Sequence, residues 1–511
     1  MRIGDWLGRL EYRLLQGNLE EPVSEVVYDS RKAAPDSVFV CIRGSAMDSH
    51  TFIPDVIKSG CRVLVTEREV EVPEGVTVLL VKNGRQALAE LSAARFGYPA
   101  EKLTTIGITG TKGKTTTSYM IRSILEAMGK KTGLIGTNGA IIGEERIPTA
   151  NTTPESYLVQ EYFARMVETG CTYCVMEVSS QALMLHRVGG ILFDIGLFTN
   201  IFPDHIGPKE HESFEEYLYY KSRLLTICKT GVVNLLSEHY DEIIKDHTCR
   251  LVTYALEDET TGEQRADFVG NHVHYASNHE FVGIEFDIHG GMNGRVQVGM
   301  PGKFNADNAL AALAVCSLAL KKEREQSPDP EGFDAAMRRA LFNVRVDGRM
   351  EIVHVSKTCS VIVDYAHNAV SMESLLTTLR AYQPKRLVCV FGCGGNRAKD
   401  RRYSMGEIGG RMADFCILTA DNPRFEKNED IIRDIETGMA KTNGAYMVIP
   451  DRRDAIFYAV HHAKEGDMIA IIGKGHEDYQ EIEGVRHHFL DREVVEDAVR
   501  EMESQNAQKA E

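Results

Sequence analysis

One stretch, GITGTKGKTTTSYMIRSIL at residues 107–125, constrains the chain more than any other. The apolar run LTTIGITG leads into it, glycines stand at 107, 110 and 113, and Tyr119, Met120, Ile121, Ile124, Leu125 and Met128 then fall on one side of a helix. Strand, glycine turn and helix in that order let backbone N–H groups face an anion, with the positive end of the helix behind them. Lys114 stands where it can reach terminal phosphates, and Thr115 where it can ligate magnesium. The spacing is a shifted form of G-x-x-x-x-G-K-[ST]: counted back from Gly113, the first glycine of that pattern falls on Ile108.

At 511 residues the chain is too long for one core, and domains of about 100–200 residues predict three. Residues 1–102 alternate short apolar runs (DSVFVCI, CRVLVTE, VTVLLVK) with turns and end in the helical pattern GRQALAELSAARFG, as a small α/β domain would. Over 103–345 the runs TYCVMEVSS, ILFDIGLFTN and GVVNLL are short, β-rich and apolar, which predicts strands buried on both faces of a central doubly wound sheet of the P-loop ATPase type. Over 346–511, CSVIVDYAHN, KRLVCVFGCGGNR, FCILTADNPR and MIAIIGKGHED each end abruptly in polar or glycine residues. Open parallel sheets bind ligands beyond the carboxyl ends of their strands, so this third, Rossmann-like domain is expected to hold a crevice. The fold class is α/β throughout.

The opening MRIGDWLGRLEYRLLQG intersperses charge among Ile3, Trp6, Leu7, Leu10, Leu14 and Leu15 and reads as an amphipathic helix rather than a signal peptide. The last fifteen residues are polar and are expected to fray. No apolar run approaches the ~20 residues of a membrane span. A net charge of -16 argues against nucleic acid or an anionic membrane surface as partner. The eleven cysteines sit mostly in apolar runs, as buried thiols of a reducing cytoplasm do, and the pair Cys171 and Cys174 reads as strand packing before metal or redox chemistry.

The form G-x-T-G-T-x-G-K-T-T resembles the phosphate loop of the Mur ligase family, ATP-dependent enzymes that add amino acids to the peptide of the bacterial cell-wall precursor. The resemblance implies that Gly110, Thr111, Lys112, Gly113, Lys114, Thr115 and Thr116 bind ATP, with Asn305 and its neighbour Asn308 on the adenine side, Arg349 on phosphate and Asp364 on ribose. It makes Glu177, at the end of TYCVMEVSS, a magnesium ligand. In FTNIFPDHIGPKEHESFEEYLYYKSRLL, His205 stands where the family's second-metal histidine does, and Lys221 where its lysine takes up carbon dioxide as a carbamate. A neutral lysine amine that captures carbon dioxide becomes a carboxylate-like ligand suited to magnesium.

The stretch YDSRKAAPDSVFVCIRG resembles the family's uridine-binding segment, with Ser30 in contact. NTTP (Asn151, Thr152, Thr153) and EVSSQALMLHR (Ser179, Arg187) match residues that hold a muramoyl dipeptide, and Leu185 replaces a glutamine of some relatives. In the third domain TADNPRFE supplies Asp421, Asn422, Pro423 and Arg424. An arginine fork suits a carboxylate, and the proline ring stiffens the turn that presents it. Glu477 beside Gly473 would accept from an ammonium group, and Arg402 in NRAKDRR corresponds to a further carboxylate clamp, between Ala398 and Tyr403 where relatives have Asp and Pro. DNPR with GKGHEDYQ is the pattern of members that add meso-2,6-diaminopimelate to UDP-N-acetylmuramoyl-L-alanyl-D-glutamate. The resemblance therefore implies a monomeric, cytoplasmic ATP-dependent ligase of peptidoglycan synthesis, without nucleic-acid or membrane partners. Addition of L-lysine, polyglutamylation of folate and a catalytically silent binding subunit are the rival readings, and the DSR, NTTP and DNPR stretches speak against folate.

Overall fold

The computed structural model describes residues 1–44, 47–204, 206–207, 210–256, 266–278 and 280–510. Strong apolar strands separated by Gly, Asn and Asp turns assemble into sheets flanked by helices, and the described residues group into two units, 1–255 with 311–327, and 256–310 with 328–511.

The first unit holds two sheets. The N-terminal one is built from β1 (Arg13–Gln16), β2 (Glu25–Val27), β3 (Ser37–Val40), β4 (Val63–Thr66) and β5 (Thr77–Leu80) in the order β1-β5-β4-β3-β2, parallel except for β1. The expected amphipathic helix at the amino terminus does not form. The amides of Ile3 and Gly4 donate instead to the carbonyls of Glu21 and Leu19, only Ile3–Trp6 makes a 3-10 turn, and Arg13–Gln16 is drawn into the sheet edge against Val78–Leu80. Ile3, Trp6 and Leu7 are buried nonetheless, so the apolar side chains reach the core without the helix.

The central sheet contains β6 (Thr104–Thr109), β7 (Thr132–Gly136), β8 (Gly139–Ile142), β9 (Glu145–Ile147), β10 (Tyr173–Glu177), β11 (Phe193–Phe198), β12 (Cys228–Asn234) and β13 (Arg250–Leu256). They run in the order β13-β12-β11-β6-β10-β7-β8-β9, parallel from β13 to β7. β6 thus lies between β10 and β11, and the loops at the carboxyl ends of β6 and β10 open side by side, the usual place for a ligand in such a sheet. Gly107, Gly196 and Gly231 lie on these strands where side chains of Phe193, Cys228, Leu224 and Leu225 would otherwise collide with a Cβ.

The second unit begins with an antiparallel meander of β14 (Phe268–Ser277), β15 (Val282–Gly290) and β16 (Gly294–Val298). Its main sheet comprises β17 (Glu351–Val355), β18 (Cys359–Asp364), β19 (Arg386–Phe391), β20 (Phe415–Leu418), β21 (Tyr446–Val448) and β22 (Asp467–Ile472) in the order β17-β18-β22-β19-β20-β21, with only β17 antiparallel. The small hairpin of β23 (Tyr479–Ile482) and β24 (Val485–His488) follows. The carboxyl-terminal segment does not fray into coil: a helix runs over Asp491–Ala510 because Val494, Val495 and Ala498 pack into the core and hold its first turns. All eleven cysteines are free and buried, Cys171 and Cys174 among them. Among the described residues no helix is long and apolar enough to cross a membrane.

One ion pair pins the strand ends of this second sheet. Arg452 and Asp491 are both fully buried and meet through two bonds of 2.7 Å, and the same guanidinium donates to the carbonyls of Ala420 and Ile472 at 3.1 Å each. Truncating one partner leaves the other charge buried and alone, so Arg452→Ala should destabilise this unit by about 3–5 kcal/mol, while Arg452→Met combined with Asp491→Leu should recover most of it. Urea denaturation followed by tyrosine fluorescence measures both. A loss below ~1 kcal/mol in the single variant would mean that water reaches the pair.

Candidate active site

The glycine loop after β6 is forced by its surroundings. Gly110 has φ +143° and a Cβ there would lie 2.0 Å from Thr199 Oγ1, while Gly113, at φ +83°, begins the helix Lys114–Ala127. Glycine alone tolerates these positions. The turn aims the Gly110 carbonyl inward, where it accepts from Lys114 Nζ at 2.7 Å and from Lys221 Nζ at 2.8 Å; Lys114 also donates to the Thr111 carbonyl at 3.1 Å. Lys221 is no surface residue: it is buried in the last turn of the helix Phe214–Ser222, its ammonium 4.6 Å from the centre of the Tyr217 ring. Burial lowers the pKa of both lysines, and that of Lys221 well below the usual range, with the charge of Lys114 adding to the effect.

Opposite them Glu177, wholly buried at the end of β10, accepts from Thr115 Oγ1 at 3.1 Å and from the amide and hydroxyl of Thr137 at 3.0 and 3.1 Å. Burial raises its pKa, against the opposing pull of Lys114 and these bonds. Two ammonium groups on one carbonyl, an adjacent fully buried carboxylate and a hydroxyl form a site of mixed charge that a magnesium polyphosphate would complete. The oxygen donors fit that hard cation. Among the described residues there is no group of three or more His, Cys, Asp and Glu that could hold a metal ion. His205 lies outside the described residues. Lys112 is exposed, its amide on Asn200 Oδ1 at 2.9 Å, and Thr116 follows Thr115 in the first helical turn.

The residues matched to the muramoyl dipeptide gather around the backbone of the same strand end. Thr153 Oγ1 donates to the Glu177 carbonyl at 2.9 Å and accepts from the Ser179 amide at 3.1 Å. Arg187 Nη1 donates to the Thr153 carbonyl at 3.1 Å, Ser179 caps the helix Ser180–Met184, and the Thr152 and Thr137 hydroxyls are 3.1 Å apart. Asn151 is exposed beside them, and Ser30 opens the 3-10 turn Ser30–Lys32 in the N-terminal sheet region. Thr137, which holds both carboxylate oxygens of Glu177, went unnoticed in the sequence; its signal is the Asn138-Gly139 turn that joins β7 to β8.

The other nucleotide candidates belong to the second unit. Asn305 is buried, donates to the Pro301 carbonyl at 2.7 Å and accepts from Asn308 at 3.0 Å. Asp364 accepts from the amides of Met350 and Ala366 at 2.7 and 2.8 Å, and the Arg349 guanidinium lies 5.4 Å from the Tyr365 ring centre.

Beyond the carboxyl ends of β19, β20 and β22 lies a cavity of about 260 Å³ to which Asp421, Asn422, Arg424, Gly473 and Glu477 all contribute. Gly473 has φ +115°, and a Cβ there would come within 2.5 Å of Asp421 Oδ2. Asn422 Nδ2 donates to Glu477 Oε2 at 2.8 Å, and the buried Lys474 ammonium stands 3.6 Å from the same carboxylate. Buried Pro423 sets up the turn to Arg424, whose backbone is left-handed (φ +53°); its Nη1 donates to the Gly395 carbonyl at 2.8 Å and its Nε is 3.5 Å from Glu481. Arg402 does not line this cavity. It is buried, with Nη1 on Asp434 at 2.9 Å and Nη2 on Glu426 at 2.8 Å, because the helix Asp400–Met412 turns it toward the neighbouring helix Asn428–Met439. Arg397 and Arg401 of the same basic run line it instead.

Family models match three stretches of the chain: the Mur ligase family catalytic domain over residues 22–96, the Mur ligase middle domain over 108–316 and the Mur ligase glutamate ligase domain over 348–475. Among curated proteins, the UDP-N-acetylmuramoyl-L-alanyl-D-glutamate–2,6-diaminopimelate ligase of Caldanaerobacter subterraneus subsp. tengcongensis is 39% identical over 98% of this chain and 100% of its own length. The enzyme of the same name from Clostridium perfringens is 39% identical over 96% of this chain and 97% of its own. A solved structure of a ligase of that name superimposes with a TM-score of 0.74 at 27% identity over 99% of both chains. With all three of the family's domain models in order and full-length relatives at this identity, the chain belongs to the Mur ligase family.

Proposed function

We propose that the chain is an ATP-dependent ligase that joins meso-2,6-diaminopimelate to the D-glutamate side-chain carboxylate of UDP-N-acetylmuramoyl-L-alanyl-D-glutamate in peptidoglycan precursor synthesis. The observation that carries the ligase reading is the convergence of Lys114 and Lys221 on the Gly110 carbonyl, facing Glu177 and Thr115. A carboxylate is a poor electrophile. Attack of its oxygen on the γ-phosphorus of ATP releases ADP and leaves an acyl phosphate, whose carbonyl carbon the neutral amine of the amino acid then attacks. The tetrahedral intermediate collapses with loss of inorganic phosphate and of the amine proton, leaving the amide.

In this scheme the protein positions reactants and neutralises charge rather than bonding to them. Lys114 swings from backbone carbonyls to the β- and γ-phosphates, and the loop amides of 110–116 cradle the remaining oxygens. Thr115, Glu177 and N-carboxylated Lys221 would hold a magnesium ion, with His205 as the candidate for a second, and the metal would supply Lewis-acid neutralisation of the phosphates when bound. A desolvated Lys221 amine, its pKa lowered, is the form that takes up carbon dioxide. Thr152, Thr153, Ser179 and Arg187, tied to the Glu177 strand end, hold the dipeptide beside the phosphates, with Ser30 and Asn151 on the nucleotide-sugar side. Asn305, Arg349 and Asp364 serve the adenine, phosphate and ribose. ATP and a nucleotide-linked precursor as substrates support a cytoplasmic reaction, and the chain is read as a monomer.

Specificity rests on the cavity of the second unit. Arg424, with Arg397 at its rim, meets the distal carboxylate, while Asn422, Asp421 and Glu477 meet the distal ammonium group. L-lysine would leave Arg397 without an anion and Arg424 with only the Glu481 carboxylate at 3.5 Å, which costs affinity relative to a substrate with a distal carboxylate.

Lys114→Ala should slow turnover by at least ~10²-fold in an ADP-release assay, and near-normal turnover would overturn the phosphate-loop assignment. Arg424→Ala should raise KM for meso-diaminopimelate far more than KM for ATP; equal effects would make Arg424 structural. Under native mass spectrometry the intact protein should carry the added mass of one carbon dioxide, absent in Lys221→Ala, and that variant should lose activity that small carboxylic acids partly restore. An inactive variant that no added carboxylate rescues would argue that the lysine acts as an ammonium group.

A further inference from the structure

A cavity of about 630 Å³ opens in the first unit, and no residue of the phosphate loop lines it. On one side stands the helix Gly84–Arg95, which supplies Gln86 and Glu90; on the other stand the turn 183–192 and the helix Phe214–Ser222. Gly189 and Gly190 let the turn close on the first helix: a Cβ at 189 would lie 2.8 Å from the Ala89 Cβ, and one at 190 would lie 3.1 Å from that of Ala93. Leu183, Val188, Ile191 and Ile227 make the walls apolar. Leu192 and Tyr219 also line the cavity, yet 57% and 50% of their surface stays exposed. Apolar walls, a few polar groups and this volume are the features of a small-molecule site, and two large apolar side chains left in water at one opening favour something that covers them.

The polar and aromatic groups set the class of occupant. Tyr219 and Tyr220 stand edge to face with 5.2 Å between ring centres and offer aromatic surface to a planar body. The Arg223 guanidinium, 5.9 Å from the Tyr219 ring centre, has no acidic partner among the described residues. Arg9, which also lines the cavity, is by contrast spent on Glu101 and the Tyr98 ring. Burial, and then the charge of Arg223, lowers the pKa of His186, so the imidazole and the guanidinium are neighbours. The His186 backbone is left-handed (φ +54°), a conformation that a residue other than glycine holds only where its surroundings impose it. Glu90 is the one acid among the described residues of the lining, and its Oε2 is turned to Gly190, 3.5 Å from where a Cβ would stand. One free guanidinium and an imidazole beside two tyrosines suit an aromatic body that carries one anionic group.

The walls also carry residues of the proposed active site. Lys221 follows Tyr220 and reaches the Gly110 carbonyl, and Arg187 follows His186 and donates to the Thr153 carbonyl. We infer that this cavity is a second small-molecule site, which takes a planar aromatic anion with its rings on Tyr219 and Tyr220 and its anionic group on Arg223 and His186. An occupant bonded to His186 pulls on the turn that aims Arg187, and so weakens binding of the dipeptide precursor. That consequence rests on the ligase reading above; the site itself does not.

The test uses the full-length protein with two probes: 8-anilino-1-naphthalenesulfonate, an aromatic anion whose emission rises in apolar surroundings, and N-phenyl-1-naphthylamine, which has the same rings and no charge. With ADP present at saturation, wild type should bind one sulfonate per chain, about tenfold or more tightly than the uncharged probe. Arg223→Ala should erase that preference, and Leu192→Asp, which sets an acid beside the opening, should weaken the sulfonate about fivefold. Both residues are exposed, so both variants keep the fold and the basal turnover. In phosphate-release assays the sulfonate should raise KM for the UDP-muramoyl dipeptide about threefold in wild type, leave KM for meso-diaminopimelate within about twofold, and change neither in Arg223→Ala. Equal affinity for the two probes, or sulfonate affinity that neither substitution changes, overturns the site. A KM for the dipeptide that saturating sulfonate leaves unchanged overturns the link to Arg187. If wild type shows no ligase turnover, the ligase reading fails while the probe titrations still decide the site.

Discussion

Two lysine side chains, half-buried Lys114 and buried Lys221, share one carbonyl oxygen, that of Gly110, and much of the first unit is arranged to make that possible. The carbonyl can point inward only because Gly110 adopts a backbone that a Cβ would block against Thr199. Lys114 arrives from the helix that the loop starts, Lys221 from a helix more than a hundred residues later, and Glu177 from the adjacent strand. Burial lowers the pKa of both lysines, and for Lys221 the neighbouring charge of Lys114 lowers it further. An arrangement of this kind is stable in use only when an anion or a change in the charge of one lysine relieves it. In the proposed function ATP would supply the first, and carboxylation of Lys221 the second.

The second unit meets a comparable demand differently. Its cavity needs Asp421, Asn422 and Gly473 from two strand ends that are separated in the sheet by β19. Arg452 spans them, donating to Ala420 on one and Ile472 on the other while Asp491 neutralises it. A buried ion pair of this sort is a weak source of stability but a strong geometric constraint, because each of its hydrogen bonds has only one place to go. Lys474 plays a smaller version of the same part, holding the Glu477 carboxylate and the Tyr479 carbonyl at the start of the terminal hairpin.

Strand positions in the chain were legible because their signals are local. TTIGIT, YCVME, FDIGLF, CSVIVD, RLVCVF and DMIAII are apolar runs closed by turn residues, and each is a strand. The errors lie where tertiary partners outbid local pattern. The amino terminus carries helical spacing, yet the amides of Ile3 and Gly4 found carbonyls of a neighbouring segment. The carboxyl-terminal helix is polar overall, yet four small or branched apolar residues, Val494, Val495, Ala498 and Val499, are enough to hold it. Arg402 and Arg401 differ by one position, about 100° around a helix, and no local signal says which of the two faces an acid and which a cavity.

The amino-acid sequence by itself determined the chemistry the chain can perform: the phosphate loop, the acid that follows a second strand, the lysine in its aromatic helix, and the DNPR and GKGHED strand ends, all of them short motifs whose meaning lies in residue type and spacing. Only the tertiary structure decided the state of those groups. It buried Lys221 and so lowered its pKa, brought Thr137 onto Glu177, spent Arg402 on Asp434 and Glu426, and left Arg401 to the cavity. The physical reason is that desolvation and ion pairing depend on distance in space, and residues that meet at one site here are separated by tens to hundreds of positions along the chain.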